Sequence, residues 1–303
     1  MQQKIVCFGE TLWDVLPSGK QPGGAPMNVA IHLRRNGFDP VVVSRVGDDD
    51  LGKELISFLK KQQVNTEWLQ TGQTHLTGVV KANISDRNEV TYKIVEPVAW
   101  DYIQYEDRIA DLISQSDVFI YGSLVARNIT SQETLFQCLP LPKLKIFDVN
   151  LRPPHYTLER VMTLLGFANI VKMNHQELAE ICEWLGVEGN IATQMQFIKD
   201  RFSLDLVIVT RGENGAAALN DTGFFEHEGF RVEVEDTIGS GDAFLATFLT
   251  NYLQQKPLEQ TLERACLVGA FLATHRGATP AYKPHEITSE SLNSSNENRI
   301  LHS

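Results

Sequence analysis

The sequence lacks a basic stripe. Its 303 residues carry 27 Lys and Arg against 38 Asp and Glu, a formal net charge of −11. Nucleic acid is bound by clustered cations that neutralise its phosphates, so it is not an expected partner. An anionic ligand would need local help from backbone amides, an arginine or a metal ion. Cysteine is also scarce. Cys7, Cys138, Cys182 and Cys266 stand far apart with no CxxC pair, and read as small buried apolar residues in a reducing compartment. No apolar run reaches the roughly 18 residues that span a bilayer. Met1-Gln2-Gln3-Lys4 runs straight into a strand pattern, without the signature of a signal peptide. A cytoplasmic protein away from membranes is the expectation. Also missing are a Walker A motif and a GxGxxG after the first strand, which disfavours P-loop enzymes and dinucleotide dehydrogenases. No internal repeat and no second-domain linker divides the chain.

What is present is core material: 43% of residues are apolar, enough for one large domain. Ile5 to Gly9 is continuously apolar, as in a strand buried on both faces. Val41–Val43, Val118–Gly122, Lys145–Val149, Ile170–Met173 and Leu206–Thr210 repeat that character. Helical patterns lie between them, such as Leu51, Leu55, Phe58 and Leu59 on one face. Strands alternating with helices predict an α/β fold with a doubly wound, mostly parallel sheet. Residues 74 to 95 break this rhythm. Val80, Ala82 and Ile84, then Val90, Tyr92 and Ile94, alternate with polar residues around a turn at Asp86-Arg87-Asn88. This predicts an antiparallel hairpin standing off the body as a flap. The expected organisation is one domain over 1–288, a small lid formed by about 11–24 and 74–98, and a polar tail over 289–303.

The most informative stretch is Asp236-Thr237-Ile238-Gly239-Ser240-Gly241-Asp242. An alternating run, Phe230 to Val234, leads in, and a long apolar segment from Ala243 leads out. This reads as an extended segment, a Gly-rich turn and the start of a helix. The glycines admit conformations that a Cβ hinders, and free amides plus the helix dipole make an anion site. Asp242 has two readings there. It caps the helix, or it accepts a proton from a hydroxyl that attacks phosphorus. Ligands of open α/β sheets bind beyond the carboxyl ends of the strands. Asp14, Asn150, Arg152, Asn174, Gly212 and the Gly239–Asp242 turn all follow predicted strands, so one crevice would gather them. That convergence favours the base.

Two stretches at opposite ends of the chain carry a resemblance. Gly23-Gly24-Ala25-Pro26-Met27-Asn28-Val29-Ala30, followed by Gly37 and Gly47, resembles the N-terminal signature of the PfkB (ribokinase-like) sugar kinases. Asp236 to Phe244 resembles their C-terminal signature, and Asn174-x-x-Glu177 their NxxE motif. Trp13-Asp14 and Phe147-Asp148-Val149-Asn150-Leu151-Arg152-Pro153 resemble the fructokinase branch. The likeness runs to about residue 280. Thr247 is a departure, at a helical position where that family commonly has Gly.

The resemblance implies transfer of the ATP γ-phosphoryl group to a sugar primary hydroxyl, with Asp242 as base and the Gly239, Ser240, Gly241 and Asp242 amides as anion hole. It implies that Asp14, Gly24, Asn28 and Arg152 meet the sugar, and that Asn174, Thr210 and Gly212 line the ATP phosphates. Mg²⁺ would be held through water near Glu177, and a monovalent cation, potassium, near Asp236 and Thr237. The hairpin becomes a lid that excludes water, and its edges imply a homodimer. Simpler roles stay open: Asp14 as a solvated loop acid, Asn28 as a cap, Glu177 as a complement to a helix dipole, Arg152 as a surface ion pair, Tyr92 and Trp100 as lid core. Fructose is the expected substrate. Ribose, 2-keto-3-deoxygluconate and nucleosides are the rivals, and a non-catalytic sugar sensor on the same fold is the rival of another class.

Overall fold

The structure, a computed structural model, describes residues 3–16, 19–84 and 90–292. A nine-stranded sheet forms the body. In chain order its strands are β1 (Ile5–Phe8), β4 (Val41–Gly47), β5 (Leu69–Gly72), β8 (Val118–Gly122), β9 (Leu144–Asp148), β10 (Ile170–Asn174), β11 (Leu206–Thr210), β12 (Ala216–Asn220) and β13 (Gly223–His227). They lie side by side in the order β13-β12-β11-β10-β9-β8-β1-β4-β5. All neighbours from β11 to β5 are parallel, and β12 and β13 add an antiparallel edge.

Period-two burial explains the two layers. Val6 and Phe8 of β1 belong to one apolar cluster, while Ile5 and Cys7 belong to another on the opposite face. The first cluster is covered by α3 (Asp107–Ser114), α4 (Ile129–Cys138), α5 (Leu158–Phe167), α6 (His175–Trp184) and α7 (Ile191–Phe202). The second is covered by α1 (Ala25–Arg35), α2 (Asp50–Lys61), α8 (Ser240–Leu253) and α9 (Leu258–Ala273). A strand buried on both faces has no polar side to show, which is why β1, β8 and β11 read as near-continuous apolar runs. No helix among the described residues is long and apolar enough to cross a membrane.

A second sheet of four strands, ordered β3-β2-β6-β7, stands apart. It contains β2 (Leu12–Leu16), β3 (Gly19–Gly23), β6 (Gly78–Ile84) and β7 (Val90–Ile94). The antiparallel pairing of β6 with β7 agrees with the alternation in the sequence. The turn expected at Asp86–Asn88, the Tyr92 side chain and the tail beyond Leu292 lie outside the described residues. Trp100 is fully buried beside Val98 and Leu124, as core at the foot of this sheet.

Two local expectations are corrected, and one strand is added. Asp14 does not follow β1 as a loop residue; it lies inside β2, opposite Gln21 on one side and Val80 on the other. The alternation at Phe230–Val234 forms no strand, because Phe230 and Val232 face the apolar cluster around α9 with no neighbouring strand to pair with. The Gly239–Asp242 turn thus follows an irregular segment. Finally, β13 was not anticipated, since Phe224-Phe225-Glu226-His227 lacks clean alternation.

Chain order grows outward from β1 through β4 and β5, then reverses through β8, β9, β10 and β11. The reversal falls between β1 and β8, and a crevice opens beyond the carboxyl ends of strands at such a point.

Candidate active site

A cleft of about 750 Å³ occupies that crevice. Glu10 comes from the end of β1, Asn150 and Arg152 from the end of β9, and Asn28 from α1. The second sheet closes it with Leu12, Asp14, Val80 and Ile94. The segment Asp236–Asp242 forms another wall, with Asp236, Thr237, Gly239, Gly241 and Asp242 all exposed to the cavity.

The first turn of α8 begins there. Gly239 precedes it at φ 77, and a Cβ at this position would come within 2.5 Å of the Ala278 Cα. Only glycine fits both demands. The Ser240 amide reaches the Thr237 carbonyl at 3.3 Å. The amides of Gly241 and Asp242 are first-turn groups, for which a helix supplies no carbonyl of its own. Ser240 does not line the cleft, and its hydroxyl is buried without a hydrogen-bond partner.

Asp242 is not the helix cap. The N-terminus of α8 has no side-chain cap; instead Asp242 Oδ2 accepts from Asn28 Nδ2 at 2.8 Å, across to α1. Burial pushes the Asp242 carboxyl up to about 6, and the Asp148 charge adds to it; the Asn28 hydrogen bond, Lys172 and Arg152 pull the other way. Such a group is ionised at neutral pH yet basic enough to take a proton, the range that suits a general base. Asn28 is no cap either. It lies a full turn inside α1, whose cap position is Gly24, and its Oδ1 is buried and unpartnered beside the cleft. That oxygen is free to accept from a ligand hydroxyl.

Gly24, at φ 114, leaves no room for a Cβ against the Glu10 carbonyl, so the chain passes the cleft with bare backbone. Asp14 is partly buried and pushed up to about 6, chiefly by burial. Arg152 is exposed, donates to the Leu151 carbonyl at 3.0 Å, and lowers the pKa values of Asp14, Glu10 and Asp242.

The other candidates lie outside that lining. Asn174 and Thr210 are register partners at the carboxyl ends of β10 and β11, and Gly212 follows at φ 60 with open space around it. Asn174 caps α6, accepting from the Gln176 and Glu177 amides, both at 2.9 Å. Glu177 answers with Oε2 to the Asn174 amide and uses Oε1 on the Leu151 amide, each at 2.8 Å. This reciprocal box ties two loops together. A carboxylate so engaged and 6% exposed does not fit direct metal ligation. Among the described residues no group of three or more His, Cys, Asp or Glu is arranged to hold a metal ion. Asp236 bridges the Ile238 and Gly277 amides at 3.0 and 3.1 Å, which holds the turn before α8 against the chain after α9.

Sequence reasoning missed two residues of this site. Glu10 Oε1 accepts from the Ala25 amide at 3.2 Å, while Oε2 is buried and unpartnered; burial pushes its carboxyl up to about 7. Lys172 sits on β10, and its ammonium bonds both Asp148 oxygens, at 2.9 and 3.1 Å. Both carried a signal: an acid directly after a buried strand, and one lysine within the otherwise apolar Ile-Val-Lys-Met.

The fold and this cleft are those of a sugar-kinase-like α/β protein, and the chain belongs to the pfkB family carbohydrate kinases, whose family model it matches over residues 2–285. Its relatives narrow the resemblance. A fructokinase of Salmonella typhimurium is 26% identical over 301 residues, covering 93% of this chain and 96% of that one. A probable chloroplastic fructokinase of Arabidopsis thaliana is 28% identical over 320 residues, covering 95% and 82%. The ATP-bound crystal structure of a fructokinase from Xylella fastidiosa superposes with a TM-score of 0.83 at 25% identity, covering 98% of this chain and all of that one.

Proposed function

We propose that this carbohydrate kinase transfers the γ-phosphoryl group of ATP to the primary hydroxyl of a neutral sugar, converting fructose to fructose 6-phosphate. The observation that carries the reading is the Asp242 carboxyl, tethered by Asn28 and facing the cleft beside the first-turn amides of α8. Asp242 takes the hydroxyl proton, the sugar oxygen forms a bond to phosphorus, and the bond from phosphorus to the bridging oxygen of ADP breaks, its electron pair leaving with ADP. Positioning and charge neutralisation supply most of such a rate. Asn28, Asp14, Gly24 and Arg152 hold the sugar, with Glu10 behind them. Asn174, Thr210 and Gly212 sit where the nucleotide phosphates would run. With the nucleotide bound, Mg²⁺ would screen the phosphate charge, near Glu177 through water; Asp236 and Thr237 would offer oxygens to potassium. The second sheet serves as a lid, and its outer strands, β3 and β7, offer open edges for a homodimer. A cytoplasmic location suits the use of ATP and the four free, buried cysteines.

Fructose is preferred over an acidic substrate because carboxylates outnumber cations around the cleft: Glu10, Asp14, Glu96, Asp236 and Asp242 against Lys93, Arg152 and Lys172. The carboxylate of ketodeoxygluconate would meet repulsion there. The test is ADP formation from ATP with fructose, ribose, 2-keto-3-deoxygluconate or adenosine. Fructose is expected to give the highest kcat/KM and ketodeoxygluconate a value at least about a hundredfold lower, in line with specificity set by a few buried polar groups. Faster turnover of another member of the panel replaces fructose. Absence of sugar-dependent ADP with all four favours a sensor.

A further inference from the structure

We propose that Lys172 is a second catalytic residue, whose ammonium stands at the α8 turn to hold the charge of the phosphoryl group in transit. This rests on the kinase reading above and assigns a role in it to a residue that the sequence motifs do not include.

The geometry is specific. Lys172 is 7% exposed, yet it lines the cleft together with Gly241 and Asp242. An ammonium has three N–H donors. Two are used by the Asp148 oxygens, at 2.9 and 3.1 Å; the third has no protein acceptor among the described residues. A Cβ at Gly241 would come within 3.2 Å of Nζ. Gly241 is therefore bare on the side where the ammonium sits, and the lysine charge lies beside the first turn of α8. Desolvation opposes a charged lysine here, and Asp148, Glu177 and Asp242 oppose that in turn, so the group stays protonated. A positive charge already fixed in a dry site stabilises developing negative charge without reorganising. Lys172 gives up no proton and forms no bond: Asp242 keeps the proton from the sugar hydroxyl, and ADP keeps the electron pair of the broken P–O bond.

The competing role is that of a counterion for Asp148. Buried ion pairs are often replaceable by neutral side chains of similar shape without loss of stability, and that makes the two roles separable. The variant K172M alone leaves Asp148 buried and unpaired, so the decisive protein is the double variant K172M with D148N. It is expected to melt within a few degrees of wild type. Its kcat is expected to fall about a hundredfold or more, the loss typical of removing one charge-stabilising donor, with KM for the sugar changed less than about threefold. Recovery of wild-type kcat in the double variant overturns the proposal, since neutral Asp148 then needs nothing from position 172. A second measurement does not depend on turnover. Inorganic phosphate is expected to raise the melting temperature of wild type and to leave the double variant unmoved. Equal protection of both proteins, or of neither, also overturns it. A wild-type protein with no sugar-dependent ADP formation defeats the kinase reading, while the phosphate measurement still decides whether Lys172 serves an anion site.

Discussion

Replacing Asp242 with Asn is expected to lower kcat about a thousandfold while leaving folding and ATP binding intact. Asn keeps an oxygen to accept from Asn28 Nδ2, so the 2.8 Å tether between α8 and α1 survives. What it cannot do is take a proton. A positioned base contributes about a hundred- to ten-thousandfold, and phosphoryl transfer retains the remaining help from alignment and charge. Stopped assays with fructose and ATP, beside a nucleotide-binding titration, separate the two effects. A variant that keeps more than about a tenth of wild-type kcat removes Asp242 from the role of base.

The same substitution has a consequence for stability. Asp242 and Asp14 are pushed up to about 6 and Glu10 to about 7 by burial. Each binds its proton more tightly folded than unfolded. Their favourable contribution is complete below the ordinary carboxylate range at about 4, and it is lost as pH rises through about 6 to 7. The folded site therefore opposes its own ionisation at working pH. Accordingly, Asp242→Asn is expected to melt above wild type at about pH 8, with the gap closing toward about pH 4.

The largest loss of stability is expected at Arg127, away from the chemistry. Its guanidinium is 3% exposed at the side chain and grips Asp101, itself 1% exposed, through two bonds of 2.7 and 2.8 Å. It also donates to the Val95 carbonyl at 2.7 Å and lies 4.0 Å from the centre of the Trp100 ring. These contacts root the chain segment that leaves β7 in the main body. Arg127→Ala leaves the Asp101 charge buried without its partner, a change that costs about 3–5 kcal/mol, and it also removes packing from Trp100. Denaturant midpoints measure the effect. An unchanged midpoint means that Asp101 finds water or another donor and that the pair does not anchor the second sheet.

The sequence announced the body of this fold because its strands are buried on both faces. Ile5–Phe8 and Leu206–Val209 pack against apolar clusters on both faces, so both sets of alternate side chains are hydrophobic. The hairpin β6–β7 was readable for the opposite reason, one covered face. Asp14 was misplaced because an acid interrupts the apolar residues of β2 and because β3 carries Gly and Pro, so propensity says turn where β2 in fact pairs with β3 on one side and β6 on the other. Phe230–Val234 misled through a true alternation that packs on α9 instead of joining a sheet. Within the site, the glycines and Asp242 were visible as a motif, whereas the tether to Asn28 joins residues 214 apart in the chain. Lys172 was visible as a charge in a core strand, but its partner was not, because Asp148 meets it only through strand pairing. The Thr247 departure is a packing matter on α8, where its hydroxyl is buried without a partner.

In the proposed reaction one carboxylate with a raised proton affinity removes the proton from the sugar hydroxyl. The pH dependence of wild-type kcat, at saturating fructose and ATP, tests it most directly. An acid limb of unit slope is expected, with its midpoint at about 6, the range to which burial pushes Asp242, as a base with that affinity requires. A rate that stays level down to about pH 4.5 would contradict it.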